Sequence, residues 1–245
     1  AYKDEPFMRI GRVRVNVPWW TLFRRELHLN VRLDDWAMRI ETWADGHNMP
    51  RLVPERREPS GPRRFTTTVD YVYAHGGRFT FVDHVTPWSI DAPNLTFDFV
   101  RSTAFEEYVG TARFHDGTVR IQSYEPMAVD LRTRFELDGP IVRLRHIDLI
   151  ADGSVSHVTG EIDFGNWPNQ VYQIQSTVDF ARMKDLFFTG ETWRIQGEGD
   201  FTGRFLLGKG GVRDLTGTFS SPVARFNDVA FEWLHGTLAW LPDSF

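Results

Sequence analysis

Along most of this chain apolar and polar residues alternate with a period of two. Val129, Leu131, Thr133, Phe135 and Leu137 interleave with Asp130, Arg132, Arg134, Glu136 and Asp138, which gives one extended strand an apolar and a charged face. Leu27, Leu29, Val31 and Leu33 alternate in the same way with Glu26, His28, Asn30 and Arg32, and Val13, Val15 and Val17 with Arg12, Arg14 and Asn16. Further strands are predicted around Trp36–Thr42, Phe65–Tyr73, Arg78–Asp83, Asn94–Val100, Val109–His115, Thr118–Ser123, Ile141–Ile150, Val158–Phe164, Tyr172–Phe180, Trp193–Leu207, Asp214–Ser220, Asp228–Trp233 and Gly236–Leu241. Between them stand turn signals: His75-Gly76-Gly77, Asp116-Gly117, Asp138-Gly139, Asp152-Gly153 and Gly208-Lys209-Gly210-Gly211. About 15 strands joined by short turns predict an antiparallel meander, because a parallel neighbour needs a crossover of a dozen residues or more.

The expected class is therefore all-β, a long antiparallel sheet curved into a taco-like groove or open barrel, with only short helices at Trp19–Arg25 and Phe180–Phe188. Residues 1–245 read as a single extended sheet domain, with a division into 1–150 and 151–245 as the alternative. Asp45–Arg64, interrupted by Pro50, Pro54, Pro59 and Pro62, reads as a mobile Pro/Arg-rich loop without sheet pairing. A short pattern of apolar, any, Gly, polar, apolar recurs at Val158–Ile162, Leu215–Phe219 and Leu234–Leu238, with a relative at Ile195–Gly199, which suggests a stack of similar hairpins whose glycines mark bends or bulges.

Composition removes several classes of function. With 28 Lys+Arg against 33 Asp+Glu the net charge is −5, so there is no global positive field for nucleic acid. The absence of Cys excludes thiolate catalysis and thiolate metal sites. No run approaches the ~18 apolar residues of a membrane-spanning helix. The start at Ala1 and the end soon after a strand read as a section cut from a longer, membrane-anchored protein.

Catalytic patterns are missing. There is no Gly-x-Ser-x-Gly, and the eight histidines, at 28, 47, 75, 84, 115, 146, 157 and 235, show no metal-binding spacing, so no metal and no cofactor are expected. Asp83-His84, Glu106-Glu107 and Asp34-Asp35 read as surface or turn groups, and Gly208–Gly211 as a hairpin turn without phosphate-loop spacing. The 9 Trp are spread along the chain as core filling would spread them.

Several stretches together resemble the AsmA-like family, at its TamB-like end. They are Ile10–Val15, Leu27–Asp35, Ala44–Pro50, Ala74–Asp83 and Ala92–Phe99, followed from Gly160 by the repeated Gly-polar-apolar strands. The chain departs from that family's full-length pattern in lacking the N-terminal membrane helix and in being far shorter. The resemblance implies a grooved β structure in the periplasm of a Gram-negative bacterium, the full-length protein being anchored in the inner membrane. It implies a non-enzymatic role in shielding phospholipid or other acyl-chain lipid on its way between the inner and outer membranes. Neighbouring segments of the same long chain and an outer-membrane protein would be its other partners.

If each strand keeps its alternation, Phe79, Phe81, Leu95, Phe97, Phe99, Leu131, Phe135, Phe201, Phe205, Phe219, Leu238 and Trp240 share one concave face, and the resemblance makes these the lipid-contact residues. A filled sandwich core would use the same residues. Three functions stay open at this point: lipid conduction or binding, a structural scaffold for envelope or outer-membrane protein assembly, and a carbohydrate-binding β domain.

Overall fold

The computed structural model describes residues 6–50, 66–85, 87–102, 107–209 and 212–240. Its strands are β1 (Met8–Asn16), β2 (Glu26–Trp43), β3 (Gly46–His47), β4 (Thr66–Asp83), β5 (Trp88–Arg101), β6 (Tyr108–Ile121), β7 (Met127–Asp138), β8 (Ile141–Ala151), β9 (Ser154–Asp163), β10 (Gln170–Asp179), β11 (Ile195–Leu207), β12 (Arg213–Phe226) and β13 (Val229–Trp240). They form one sheet in the order β1-β2-β4-β5-β6-β7-β8-β9-β10-β11-β12-β13, with β3 paired to β2, and the sheet is not closed. Strand makes up 74% of the structure and helix 8%, so the all-β expectation holds. The helix α1 (Phe180–Phe187) and a 3₁₀ turn at Trp19–Arg24 lie where the sequence places them. Asp179 caps α1 by accepting a hydrogen bond from the Arg182 amide.

The strands are fewer and longer than the turn signals predict. His75-Gly76-Gly77 and Asp116-Gly117 do not turn the chain; they lie inside β4 and β6, where the registers shift between Ala74 and Gly77 and between Phe114 and Gly117. Asp35, at φ 55, likewise kinks β2 without ending it, and both Leu33 and Trp36 remain on the buried face. A bulge and a tight turn draw on the same residue types, since each needs a residue tolerant of positive φ, but a bulge only sets two residues against one.

Two further expectations change. β2 and β4 pair in parallel, Leu27 beside Thr67 through Thr42 beside Asp83, so the meander is interrupted once. The connection between β3 and β4 is long enough for the crossover that a parallel pair requires. The predicted loop begins as ordered structure: Gly46 and His47 pair with β2, Met49 is buried, and the Asn48 side chain accepts from the Glu41 amide while donating to the Arg39 carbonyl. Its remainder, 51–64, lies outside the described residues.

The sheet curls strongly. β4 and β12 are eight strands apart, about 38 Å if the sheet were flat. Yet Arg213 Nη2, at the start of β12, donates to Asp83 Oδ2, at the end of β4, over 3.4 Å. Bulges recur between these strands, in β4, β6, β8 and β11, and each bends the sheet, so that the accumulated curvature brings the first residues of β12 to the last residues of β4.

The core is confined to part of this curl. Leu33, Trp36, Ala74, Ala92, Leu95, Phe114 and Val129 form one buried cluster, and Ile40, Met49 and Phe81 a second. Among the described residues fourteen apolar ones are buried, and twelve of these fall between Leu33 and Ile147, with Leu186 and Ala224 beyond.

Candidate functional site

Cross-strand partners point to the same side of a sheet, so the register can be followed from strand to strand to define each face. One row reads Phe114, Leu131, Leu149, Ser156, Ser176, Phe201, Phe219, Gly236 from β6 to β13. The next reads Gly110, Phe135, Leu144, Gly160, Tyr172, Phe205, Leu215, Trp240. Phe97 and Phe99 join these rows opposite Ala112 and Gly110, while Phe79 and Phe81 oppose Ala92 and Ile90. The register thus brings all twelve predicted residues to a single face, the inner side of the curl. Arg132 and Arg204 lie on the opposite, exposed side.

The twelve are not equivalent. Phe81 and Leu95 are buried in the core clusters; Phe79, Phe97 and Leu131 pack against them. Phe99, Phe135, Phe201, Phe205 and Phe219 are half-buried, and Leu238 is exposed. The Trp240 backbone pairs with Leu215, and its side chain lies outside the described residues. Nor is the face wholly apolar: Ser154, Ser156 and Ser176 make a polar seam on β9 and β10, the last two sharing a hydrogen bond of 2.8 Å.

The recurring glycines have a different role from bending. A Cβ on Gly160 would come within 2.5 Å of the Tyr172 ring, on Gly217 within 2.7 Å of Phe201, and on Gly236 within 2.7 Å of Phe219. Each is therefore a seat on which a neighbouring aromatic ring lies flat along the inner face. Of the repeated glycines Gly197, at φ 116, does sit at a bulge, before Asp200. Burial pushes the Tyr172 phenol well above its ordinary pKa, and the hydroxyl donates to Gln170 Oε1 at 2.6 Å.

Where the two ends of the curl meet, a cavity of about 410 Å³ opens on the inner face. Phe81, Trp167, Pro168 and Leu207 supply its apolar wall, and the Asp83–Arg213 ion pair lies beside them. Thr42, His47 and Trp167 also border it, but Thr42 Oγ1, His47 Nδ1 and Trp167 Nε1 are themselves covered by neighbouring atoms and do not open into it. The sequence carries no signal for this corner, because residues of β2, β3, β4 and the β9–β10 and β11–β12 turns meet there only through the curl.

The outer face is polar and laced with ion pairs. Arg78 grips Asp91 through two hydrogen bonds of 2.7 and 2.8 Å, which lower the Asp91 carboxyl pKa; the hydrogen bond from Arg145 does the same to Glu136. The tryptophans divide between the faces and the surface: Trp36 is buried, while Trp19, Trp20 and Trp233 are exposed, against the expectation of core filling throughout. One group of metal-ligating side chains, His146, Asp148 and His157, gathers on the outer face among the described residues. Comparison with known proteins finds no family model, no curated protein and no solved structure that matches this chain.

Proposed function

We propose that the chain is a non-enzymatic, amphiphile-holding section of an envelope protein, in which the inner face of the sheet shields the acyl chains of a phospholipid or similar lipid. One observation carries this reading: beside the serine seam of β9 and β10, the aromatic and aliphatic side chains of β11 to β13 stay half-exposed on the inner side of a curled, open sheet. A monomer does not ordinarily leave a large apolar face wet, and a face of this kind marks a binding surface. Acyl chains suit it because each buried CH₂ contributes about 0.8 kcal/mol without any polar recognition. The corner cavity adds the Asp83–Arg213 ion pair at one end of the same face, which suits a molecule with a polar head and apolar tails.

The resemblance to AsmA-like and TamB-like chains supports the same reading and extends it to the periplasm, with the full-length protein anchored in the inner membrane and neighbouring segments continuing the sheet. The filled part of the curl favours a second role for β2–β8, as scaffold, since Trp36 at 2% exposure and Ala74 and Ala92 at 0% leave no room for a ligand there.

The test is uptake of a fluorescent phospholipid by the purified chain, with extraction of any lipid that co-purifies. Phe201→Asp and Phe205→Asp are expected to remain folded and lose uptake, while Arg204→Asp retains it. Full uptake by the folded Phe205→Asp protein overturns the reading.

A further inference from the structure

The strongest unassigned constellation lies on the outer face, away from the groove. In β8 two residues, Arg145 and His146, are set against β9 without a one-to-one partner, because the register shifts between Leu144 and Ile147. Simple alternation from Leu144 would turn His146 inward; the bulge puts both Arg145 and His146 in solvent. Asp148, two residues on, faces outward, and its cross-strand partner is His157 of β9. His146 Nε2 and His157 Nδ1 lie 2.9 and 2.8 Å from the same oxygen, Asp148 Oδ1. The two imidazoles stack with centroids 6.1 Å apart, and the three ligand atoms lie within 4.8 Å of one another.

We propose that His146, Asp148 and His157 form a binding site for a divalent transition metal of the zinc type, clipping β8 to β9. Two imidazole nitrogens and one carboxylate oxygen suit Zn²⁺, Co²⁺, Ni²⁺ or Cu²⁺ and not the hard, all-oxygen preference of Mg²⁺ or Ca²⁺. In a tetrahedral zinc site, bonds of about 2.0–2.2 Å keep neighbouring ligand atoms about 3.3–3.5 Å apart. The two nitrogen–oxygen distances therefore need to open by only about half an ångström, which exposed side chains accomplish by small rotations. As it stands each nitrogen facing Asp148 Oδ1 carries a proton; the metal takes their place, and those protons go to solvent or to the opposite ring nitrogen. Three protein ligands leave at least one position for water. Opposing charge comes from β7, where Arg134 pairs with His146 and Arg132 with Asp148. Arg145 is engaged by Glu136 at 2.7 Å, and the β10 neighbour of His157 is the uncharged Gln175. These arginines set the site in the range of a modest, exchangeable affinity.

This site is independent of the lipid reading, so either stands without the other. The experiment is titration of the tag-free chain with Zn²⁺ by calorimetry in a non-coordinating buffer at pH 7.5, paired with the visible absorption of Co²⁺. One equivalent is expected to bind, Co²⁺ giving the intense bands of a four-coordinate site. His157→Gln and Asp148→Asn each weaken binding at least tenfold. His115→Gln, which removes an outer-face histidine beside a different carboxylate, Asp130, changes nothing. Excess Zn²⁺ raises the melting temperature of the unsubstituted chain and not that of His157→Gln. Absence of saturable binding overturns the proposal. So does binding that survives in His146→Gln/His157→Gln, which circular dichroism would show to be folded.

Discussion

The two halves of this sheet are built on one alternation pattern and end in different states. In β2–β8 the inner face is a packed core: the Trp36 ring lies against Gly77, whose hypothetical Cβ would fall 1.9 Å from it, and meets Phe97 edge-on at 5.1 Å between centroids. In β9–β13 rings of similar size, Phe201, Phe205 and Phe219, lie half-buried along a face that α1 meets at one edge, where Phe180 lies over Gly199. The difference comes from neighbours. In the first half the register sets Gly77 of β4 beside Trp36, and Ala74, Ala92, Leu33, Leu95, Phe114 and Val129 close around it in one buried cluster. In the second half the aromatic rings occupy the glycine seats beside them and stay half-exposed among the described residues. Identical patterning therefore yields a dry core in one region and a wet apolar surface in the other.

A charge on the inner face should separate the halves most sharply. Leu95→Asp places a carboxylate in the packed region and is expected to abolish folding, since an unpaired charge in a dry core costs several kcal/mol. Phe205→Asp, reached by water, should melt within a few degrees of the unsubstituted chain. Equal collapse in both, seen by thermal melting, would erase the distinction. Next in size is truncation: Trp36→Ala should lose about 3–5 kcal/mol in urea denaturation, against about 1–2 kcal/mol for Phe219→Ala, which gives up only partial burial.

Smaller again is the link that closes the curl. Arg213→Ala removes a hydrogen bond to the buried Asp83 carboxylate and should cost about 1–3 kcal/mol. An unchanged urea midpoint would mean that Phe81 and Trp167, 6.4 Å apart at their centroids, hold the ends together alone.

The smallest effect is a pH dependence at the parallel pair. Asp70 accepts from His28 Nδ1 at 2.8 Å and raises the His28 pKa. A raised pKa means that the folded state binds the proton more tightly. The stabilisation is therefore complete below the ordinary histidine value of about 6.5 and is lost as pH rises through the raised one. Asp70→Asn should flatten that part of the melting-temperature profile between pH 5.5 and 8.5. Salt should do the same, because both groups are partly exposed.

The strand faces are legible in the amino-acid sequence because the side-chain period in a strand is two whatever the strand's neighbours, so Phe201 and Phe205, or Leu131 and Phe135, have to share a side. The short helix at Phe180–Phe187 is legible for the same local reason, with Asp179 as its cap. Bulges pass for turns at Gly76-Gly77 and Asp116-Gly117, since residue type reports tolerance of positive φ and not the number of residues opposite. The His146–Asp148–His157 group is invisible as a spacing: one ligand comes from another strand, and a second faces outward only because of a bulge.

Local chemistry thus determines the class, the two-sidedness of nearly every strand and the membership of the inner face, because these depend on residues within a few positions of each other. The parallel pairing of β2 with β4 depends on how the chain returns after β3, and the meeting of Asp83 with Arg213, the corner cavity and the division of one apolar face into core and open surface depend on curvature summed over eight strands and their bulges. Each strand adds only a small bend that no short window of sequence records, and the sum decides which apolar residues find something to pack against.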